Sequence, residues 1–311
     1  MAQPTSPPGP PGRLGFASPP KVEPLEVIVV GAGIGGLTTA TALRRSGNNV
    51  TIFEQSRFSA EIGAAIHVGY LHNELKHLTL AEEREGRPCI LKLSSKVEHI
   101  DPETAEITLG NGEKHKGDLI AGADGIYSLV RETIFDPKKP KPTGEAAYRF
   151  ILDVATVTED PECLSCDMRD GRCRVIIAPD RRVVVYPCRN FELLNFVCIQ
   201  PQERQEDGAR GYRLELPIVG GKLGRNVSRF LTKGLEMLKK AEDVRCWQLL
   251  KRDRLQSWVK GCVCLIGDAA HPMLPHQGQG GGQAIEDGAS LGALFPLGTP
   301  AAHVPAVLKL F

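Results

Sequence analysis

Three glycines with the spacing Gly-x-Gly-x-x-Gly follow the β-favouring run Val27–Val30, at Gly31, Gly33 and Gly36. The first glycine permits a tight turn, the second has no side chain to obstruct a diphosphate, and the third lets the following helix lie close to the strand. The N-terminus of that helix would offer N–H groups to phosphates. Glu54 ends the next strand-like run, where it could bond a ribose hydroxyl. The pattern predicts a dinucleotide site, without distinguishing FAD from NAD.

Two further acids follow strand-like runs that end in glycine or alanine. Residues 118–124 form an apolar run that ends at Asp124-Gly125, and residues 261–267 form a second, followed by Asp268. The later run is similar to the N-terminal strands, and a glycine-rich segment at 278–282 then opens a helical pattern. We therefore predict one nucleotide-binding domain built from both ends of the chain. Asp268 could alternatively be the N-cap of a helix, a structural role without contact to the nucleotide.

The elements that must position these residues change character along the chain. Residues 88–110 alternate as strands do, and Asn111-Gly112 predicts a hairpin turn. Between 146 and 199 the pattern predicts an antiparallel sheet, with a hairpin from 174 to 186, whereas 228–241 and 244–250 are interpreted as helices. The predicted fold class is α/β, a Rossmann-like domain with an inserted β-sheet-rich domain. The predicted domains are a Pro-rich disordered tail at 1–24, a discontinuous nucleotide-binding domain at 25–139 and 256–311, and the inserted domain at 140–255.

Composition excludes several classes of protein. The 311 residues carry a net charge of +1, with 41% hydrophobic and 24% charged residues, as is ordinary for an enzyme in solution. The near-zero charge argues against nucleic-acid binding, and no apolar run could span a bilayer, so a cytoplasmic protein is expected. The cluster Cys163-Leu-Ser-Cys166 lacks a second ligand pair, and no metal site is predicted.

Two longer motifs indicate a family. They are Asp124-Gly-Ile-Tyr-Ser-Leu-Val-Arg131 and Gly267-Asp-Ala-Ala-His-Pro, which continues through Gly278–Gly282 to Asp287. With the glycine motif they resemble the three fingerprints of the single-component FAD-dependent aromatic hydroxylases, a family that includes salicylate hydroxylase, para-hydroxybenzoate hydroxylase and fungal monooxygenases. The resemblance extends over most of residues 25–311.

The resemblance implies a cofactor, a reaction and site residues. FAD would be the cofactor, NADPH or NADH the co-substrate and O2 the oxidant, and a C4a-hydroperoxyflavin would hydroxylate a phenolic or other electron-rich aromatic molecule. Asp268 would bond the ribityl chain, Gly281 would open the helix that faces the flavin pyrimidine, and Asp124 would serve both FAD and NAD(P)H. Ala65, in a stretch that resembles the family, is also assigned to the cofactor. A monomer or homodimer that binds no nucleic acid is expected.

Two residues of the inserted domain are candidates for the substrate site. The segments around Arg149 and Tyr186 resemble strands of the family's substrate-binding sheet. In fungal relatives an Arg and a Tyr near such positions hold a phenolate, which is more electron-rich than a phenol. We expect Arg149 and Tyr186 to act in this way, with two ordinary strand residues on a wet face as the alternative.

The chain departs from the family between Ile66 and Leu71. There the family continues for several tens of residues, including an Arg that contacts FAD, whereas here the chain runs directly into Leu71-His72. It also stops at Phe311, before the family's closing helices. These differences imply an internal deletion and a shortened C-terminus, in either a naturally compact enzyme or a truncated product with impaired flavin binding.

Two further functions stay open at this point. One is a flavin epoxidase, halogenase or dehydrogenase, because one fold hosts several chemistries. The other is a flavin-binding protein without catalytic activity. The identity of the ring substrate and the choice between NADH and NADPH are not predicted.

Overall fold

A computed structural model describes residues 22–57, 66–159, 170–177, 179–202 and 244–311. Four features predicted above lie wholly or largely outside these ranges: Ala65, the Pro-rich tail, the Cys163–Cys166 cluster and the helix at 228–241. The described residues form three sheets and six α-helices.

The largest sheet has six strands and is parallel except at one edge. Its order is β13-β14-β7-β1-β2-β3, and β13 and β14 form the single antiparallel pair. The strands are β1 (Glu26–Val30), β2 (Asn49–Phe53), β3 (Ile90–Lys92), β7 (Leu119–Gly122), β13 (Val259–Lys260) and β14 (Val263–Leu265). Apart from the exposed Glu26 at the start of β1, the strands β1, β7 and β14 are apolar because both faces of the sheet are buried. Strands from both ends of the chain therefore share one sheet.

Helices cover one face of this sheet. They are α1 (Ile34–Arg45), α2 (Ile66–Leu80) and α5 (Gly280–Leu294), with the short α6 (Val304–Val307) behind them. Helix α5 lies against α1 at two glycines, since a Cβ at Gly288 would come within 2.7 Å of the Thr39 nitrogen, and one at Gly292 within 2.7 Å of the Ala42 Cβ. Leu37, Leu291 and Phe295 fill the space between helices and sheet.

A smaller antiparallel sheet and one helix cover the other face. The sheet has the order β4-β5-β6, formed by β4 (Val97–Asp101), β5 (Glu106–Leu109) and β6 (Lys114–Lys116), and the helix is α3 (Leu129–Ile134). The predicted turn at Asn111-Gly112 joins β5 to β6, and Gly112 has a φ of +86° that favours glycine.

A third, antiparallel sheet of five strands has the order β12-β8-β11-β10-β9. Its elements are β8 (Lys141–Asp153), α4 (Val154–Thr158), β9 (Arg174–Ile177), β10 (Arg182–Cys188), β11 (Leu193–Pro201) and β12 (Arg245–Lys251). The predicted hairpin is present as β9 and β10. The helix predicted at 244–250 is wrong, because this segment pairs with β8 as an edge strand. The domain boundaries at 139/140 and 255/256 stay a prediction.

Candidate active site

The glycine turn between β1 and α1 is built as its sequence predicts. Gly31 has a φ of +98°, and a Cβ there would lie 2.5 Å from the Ala123 carbonyl oxygen. A Cβ at Gly36 would overlap the Gly31 carbonyl oxygen, whereas one at Gly33 would meet nothing within 4 Å. Gly33 is also the N-cap of α1 and provides no side-chain hydrogen bond. The turn thus leaves open space and N–H donors at one helix N-terminus, as a diphosphate requires.

Glu54 lies at the end of β2, beside this turn. Its Oε2 accepts a hydrogen bond of 2.9 Å from the Ala32 N–H, and its Oε1 accepts one of 2.8 Å from the Ser56 N–H. Two backbone donors therefore fix the carboxylate, and each oxygen keeps a lone pair that could accept from a ribose hydroxyl.

A cavity of about 480 Å³ opens at this edge of the sheet. Its walls include Gly31, Gly33, Glu54, Asp124, Tyr127 and Lys139. The carboxyl ends of β1, β2 and β7 meet here, which is where open α/β sheets bind ligands. The cavity joins the first and second motifs in one space.

Asp124 follows β7 and caps the helix after it. Its Oδ2 accepts from the Val130 N–H at 3.1 Å, while its Oδ1 is buried and makes no hydrogen bond with the described residues. Burial raises the pKa of this carboxyl, and the hydrogen bonds from Ser128 and Val130 oppose that rise. Asp124 therefore has a structural role in α3 and one further acceptor atom.

Arg131 connects the second motif to the third. The side chain is fully buried, and its Nη1 donates to the carbonyls of Ala269 and Ala270 at 3.2 and 3.0 Å. Its Nη2 donates to the Asp253 carbonyl. Arg131 thus holds the turn after Asp268 in place through backbone carbonyls.

Asp268 lies at the rim of the site, in a short 3₁₀ turn over Gly267–Ala269 that follows β14. A Cβ at Gly280 would lie 4.0 Å from its Oδ1, so the carboxylate lies beside the N-terminus of α5. A Cβ at Gly281, in the same first turn, would lie 3.9 Å from Ile34 of α1. The α5 N-cap, Gln279, makes no side-chain cap hydrogen bond. The N-termini of α1 and α5 therefore approach each other with uncapped N–H groups.

His271 and Asp287 fix this turn to α5. The imidazole Nε2 lies 2.6 Å from Asp287 Oδ2, and the Gly267 N–H donates to the same oxygen at 2.8 Å. The hydrogen bond that the imidazole donates to Asp287 raises the pKa of His271 above its ordinary value, although burial opposes the rise. Within the described part of the chain, no three His, Cys, Asp or Glu side chains are grouped so as to hold a metal ion.

Helix α2 contributes a contact that the sequence did not assign. His72 Nε2 lies 2.8 Å from the Ala32 carbonyl oxygen of the glycine turn. At the other end of α2, the buried Arg44 donates to the carbonyls of Leu78 and Thr79 at 3.0 and 2.9 Å. Arg44 had no sequence motif to identify it, because its partners are backbone atoms. His72 thereby attaches the half of α2 near the break in the family motif to the glycine turn, and Arg44 attaches the other end of α2 to α1.

One face of the five-stranded sheet carries both candidate substrate residues. Arg149 on β8 pairs with Val197 on β11, and Tyr186 on β10 pairs with Asn195 on β11, so Arg149 and Tyr186 lie diagonally across the same face. The guanidinium of Arg149 stacks over the Trp247 ring at 5.2 Å. Burial raises the pKa of the Tyr186 phenol, and the Arg149 cation opposes that rise.

The same face lies against the loop that follows Asp268. Leu274 packs on the apolar cluster of Ala147, Val197 and Ile199, and His276 Nε2 lies 4.0 Å from Glu145 Oε2. The structure therefore brings Arg149 and Tyr186 to the sheet face that contacts the third motif.

Comparison with known proteins identifies the family. A protein-family model described as an FAD binding domain matches residues 69–296. A second family model, described as an NAD(P)-binding Rossmann-like domain, matches residues 29–66. The chain belongs to this FAD-binding family. It is 32% identical to the FAD-dependent monooxygenase cfoG of Aspergillus candidus, over 92% of this chain and 81% of that protein. It is 29% identical to hispidin-3-hydroxylase of Neonothopanus nambi, over 92% and 84%.

Solved structures of the family share the fold. A salicylate hydroxylase in a substrate complex superposes with a TM-score of 0.68 at 24% identity, covering 92% of this chain and 83% of that one. The predictions of an α/β fold of this type, of an FAD-dependent oxidoreductase and of FAD as the cofactor are confirmed.

The comparisons also bear on the break in the motif. The alignment with the Aspergillus protein runs over 356 positions, more than the 311 residues of this chain, so that protein contains segments with no counterpart here. The two family models meet between residues 66 and 69, at the predicted join.

The roles of the individual site residues stay predictions. Those that the structure describes are Gly31, Gly33, Gly36, Glu54, Asp124, Asp268 and Gly281 at the cofactor edge, and Arg149 and Tyr186 on the sheet face. Ala65 is outside the described ranges. Among the described helices, none is long and apolar enough to cross a membrane.

Proposed function

We propose that this chain is a monooxygenase that uses FAD, NAD(P)H and O2 to hydroxylate a phenolic or other electron-rich aromatic small molecule. The observation that carries the proposal is the contact between two regions. The loop after Asp268 lies on the sheet face that holds Arg149 and Tyr186. The family supports the chemistry, since relatives include a hispidin-3-hydroxylase and, at 26% identity, 3-hydroxybenzoate 6-hydroxylase 1 of Aquipseudomonas alcaligenes.

The cofactor edge has the donors and acceptors that FAD needs. In our assignment the turn at 31–36 binds the diphosphate and Glu54 accepts from the adenosine ribose. Asp268 accepts from the ribityl chain, and the N-terminus of α5 at Gly281 favours negative charge on the flavin ring. When bound, FAD supplies the redox chemistry with NAD(P)H and O2, and the protein supplies orientation and a dry environment. The open space at Gly33 and the uncapped α1 and α5 N-termini support this fit.

Arg149 and Tyr186 would activate the substrate through its phenol oxygen. The guanidinium stays positively charged at neutral pH and favours the ionised phenolate. Because burial raises the pKa of Tyr186, its hydroxyl stays protonated and can donate to the same oxygen. A phenolate held by these two groups has more electron density on its ring carbons, which favours electrophilic hydroxylation.

The test is NAD(P)H oxidation by the FAD-loaded protein across a panel of phenols, with labelled O2 to follow the oxygen atom. We expect phenol-stimulated oxidation and one labelled oxygen in the product. Arg149→Ala should lower kcat/KM by about a hundredfold, as loss of a charged hydrogen bond at a reacting atom predicts. Tyr148→Phe, on the opposite face of the same sheet, is the matched control for Tyr186→Phe.

The result that contradicts the proposal is NAD(P)H oxidation that no phenol stimulates and that releases only hydrogen peroxide. Such a protein would bind flavin without oxygenating a ring. An unlabelled product from an active protein would instead favour a dehydrogenase on the same scaffold.

A further inference from the structure

Asn195 is an unexpected residue at the centre of the five-stranded sheet. It lies on β11, between β8 and β10, and its side chain is 3% exposed. Its Nδ2 makes no hydrogen bond of regular geometry with the described residues, and the one polar group on which its amide is seen to act is the neighbouring Tyr186 hydroxyl. Burying one amide N–H donor without a well-placed acceptor costs about 1–3 kcal/mol. A buried donor of this kind indicates a ligand that supplies the acceptor.

The position of Asn195 relates it to the candidate substrate residues. It stands directly opposite Tyr186, at a usual Cβ separation of about 5 Å, and diagonally from Arg149 at about 7–8 Å. Alternation along β11 puts Asn195 on the same face as Val197 and Ile199, which contact the loop after Asp268. Asn195 therefore lies on the strand between those of the cation and the phenol, directly opposite Tyr186 and one diagonal step from Arg149.

We propose that Asn195 is a substrate-specificity residue, whose Nδ2 donates the third hydrogen bond to the phenolate oxygen held by Arg149 and Tyr186. This inference rests on the proposed function. Three converging donors favour an oxygen that accepts several hydrogen bonds, which selects an ionised phenol over a neutral aromatic ring of the same shape. Within the described chain the Asn195 amide acts on the Tyr186 hydroxyl, whose pKa it lowers less than burial raises it.

Gln200 on the same strand provides a comparison. It is 4% exposed, and its Oε1 also makes no hydrogen bond with the described residues. Because it is an odd number of residues from Asn195, Gln200 lies on the opposite face, where it pairs with Ala146. Its unpartnered atom is an acceptor, which would repel a phenolate. Gln200→Leu therefore removes a buried amide from β11 without changing the candidate site.

The experiment uses calorimetry on the FAD-loaded protein with two probes, 4-nitrophenol at a pH where it is ionised, and nitrobenzene. We expect the wild-type protein to prefer nitrophenolate. Asn195→Leu should weaken nitrophenolate binding by about tenfold and leave nitrobenzene binding unchanged, because one hydrogen bond to a charged group is lost. Asn195→Asp, of nearly equal size, should weaken it more, since it replaces a donor by a negative charge. Gln200→Leu should bind both probes as the wild type does.

Two results would overturn the inference. In one, Asn195→Leu and Asn195→Asp keep the wild-type preference for nitrophenolate while Arg149→Ala loses it. In the other, Asn195→Leu loses both probes equally, so that only shape is affected. Failure of the proposed function has a different signature, because the wild-type protein itself would then show no preference for nitrophenolate. Melting temperatures of all variants verify that the sheet is intact.

Discussion

The cofactor edge is built from both ends of the chain. The substrate face, the side of the five-stranded sheet that carries Arg149 and Tyr186, is built from its middle. At the edge of the six-stranded sheet the site depends on the path of the backbone, since Gly31 and Gly36 leave no room for a Cβ and the Glu54 carboxylate is held by two backbone N–H groups. On the five-stranded sheet the proposed site consists of side chains on regular strands, with Arg149, Asn195 and Tyr186 on one face of three neighbouring strands.

This difference sets how each site tolerates change. A backbone site depends on the path of the chain, so a single added methyl group affects folding as well as binding. A side-chain site on paired strands keeps its scaffold when one residue is replaced, so substitutions there change chemistry more than stability. Substitutions in the glycine turn should therefore change folding as well as binding, whereas substitutions on the five-stranded sheet should mainly change chemistry.

The largest effect is expected at the glycine turn. Gly36→Ala places a Cβ on the Gly31 carbonyl oxygen, so α1 must move away from the strand, at a cost of about 3 kcal/mol or more. We expect a large fall in the free energy of unfolding, measured by urea denaturation, together with loss of bound FAD.

Gly33→Ala is the matched variant for that prediction. Its Cβ would meet no protein atom within 4 Å, so the fold should keep nearly the wild-type free energy of unfolding. FAD binding should nevertheless weaken strongly, because the methyl group enters the space assigned to the diphosphate. If Gly33→Ala bound FAD normally, the diphosphate would have to lie elsewhere.

The second-largest effect is expected when a buried arginine is replaced. Arg131→Met leaves the carbonyls of Ala269, Ala270 and Asp253 without donors and should destabilise the protein by about 3 kcal/mol. FAD affinity should fall as well, since Arg131 holds the turn that carries Asp268.

Arg44→Met is the comparison for that loss. It removes a buried arginine that also donates to backbone carbonyls, but these belong to the far end of α2. We expect a similar fall in stability and a smaller change in FAD affinity at temperatures where both variants are folded. Equal losses of affinity would mean that Arg131 acts on folding alone.

The sequence predicted the cofactor edge better than the five-stranded sheet, because the cofactor edge depends on backbone geometry. The turn at Gly31–Gly36 and the acids after β2, β7 and β14 could be predicted because backbone geometry restricts which residues fit. The segment 244–250 was interpreted wrongly as a helix, since a short apolar run such as Cys246-Trp-Gln-Leu-Leu has no decisive period without its partner strand. Asn195 and Arg44 carried no signal, because register and backbone partners are properties of the folded chain.

A smaller effect tests the charge on the substrate face. If Arg149 stabilises the phenolate, its removal should raise the pH at which the bound substrate ionises. Arg149→Gln should therefore shift the rising limb of the kcat/KM profile to higher pH by about one unit. Arg45→Gln, on the exposed end of α1, should leave the profile unchanged. A shift of the same size in both variants would indicate a general effect of net charge.

The smallest effect tests the His271–Asp287 pair, which fixes the turn carrying Asp268 to α5. Because the hydrogen bond to Asp287 raises the imidazole pKa, the pair stabilises the fold fully below the unfolded pKa of 6.5 and loses that contribution as pH rises through the folded pKa. Asp287→Asn keeps an acceptor for the Gly267 N–H but removes the charge. The difference in unfolding free energy between wild type and variant should be about 1 kcal/mol larger near pH 6 than near pH 9. A difference that does not vary with pH would mean that His271 stays neutral, and the Arg131 guanidinium would then be the charged group that holds the turn carrying Asp268.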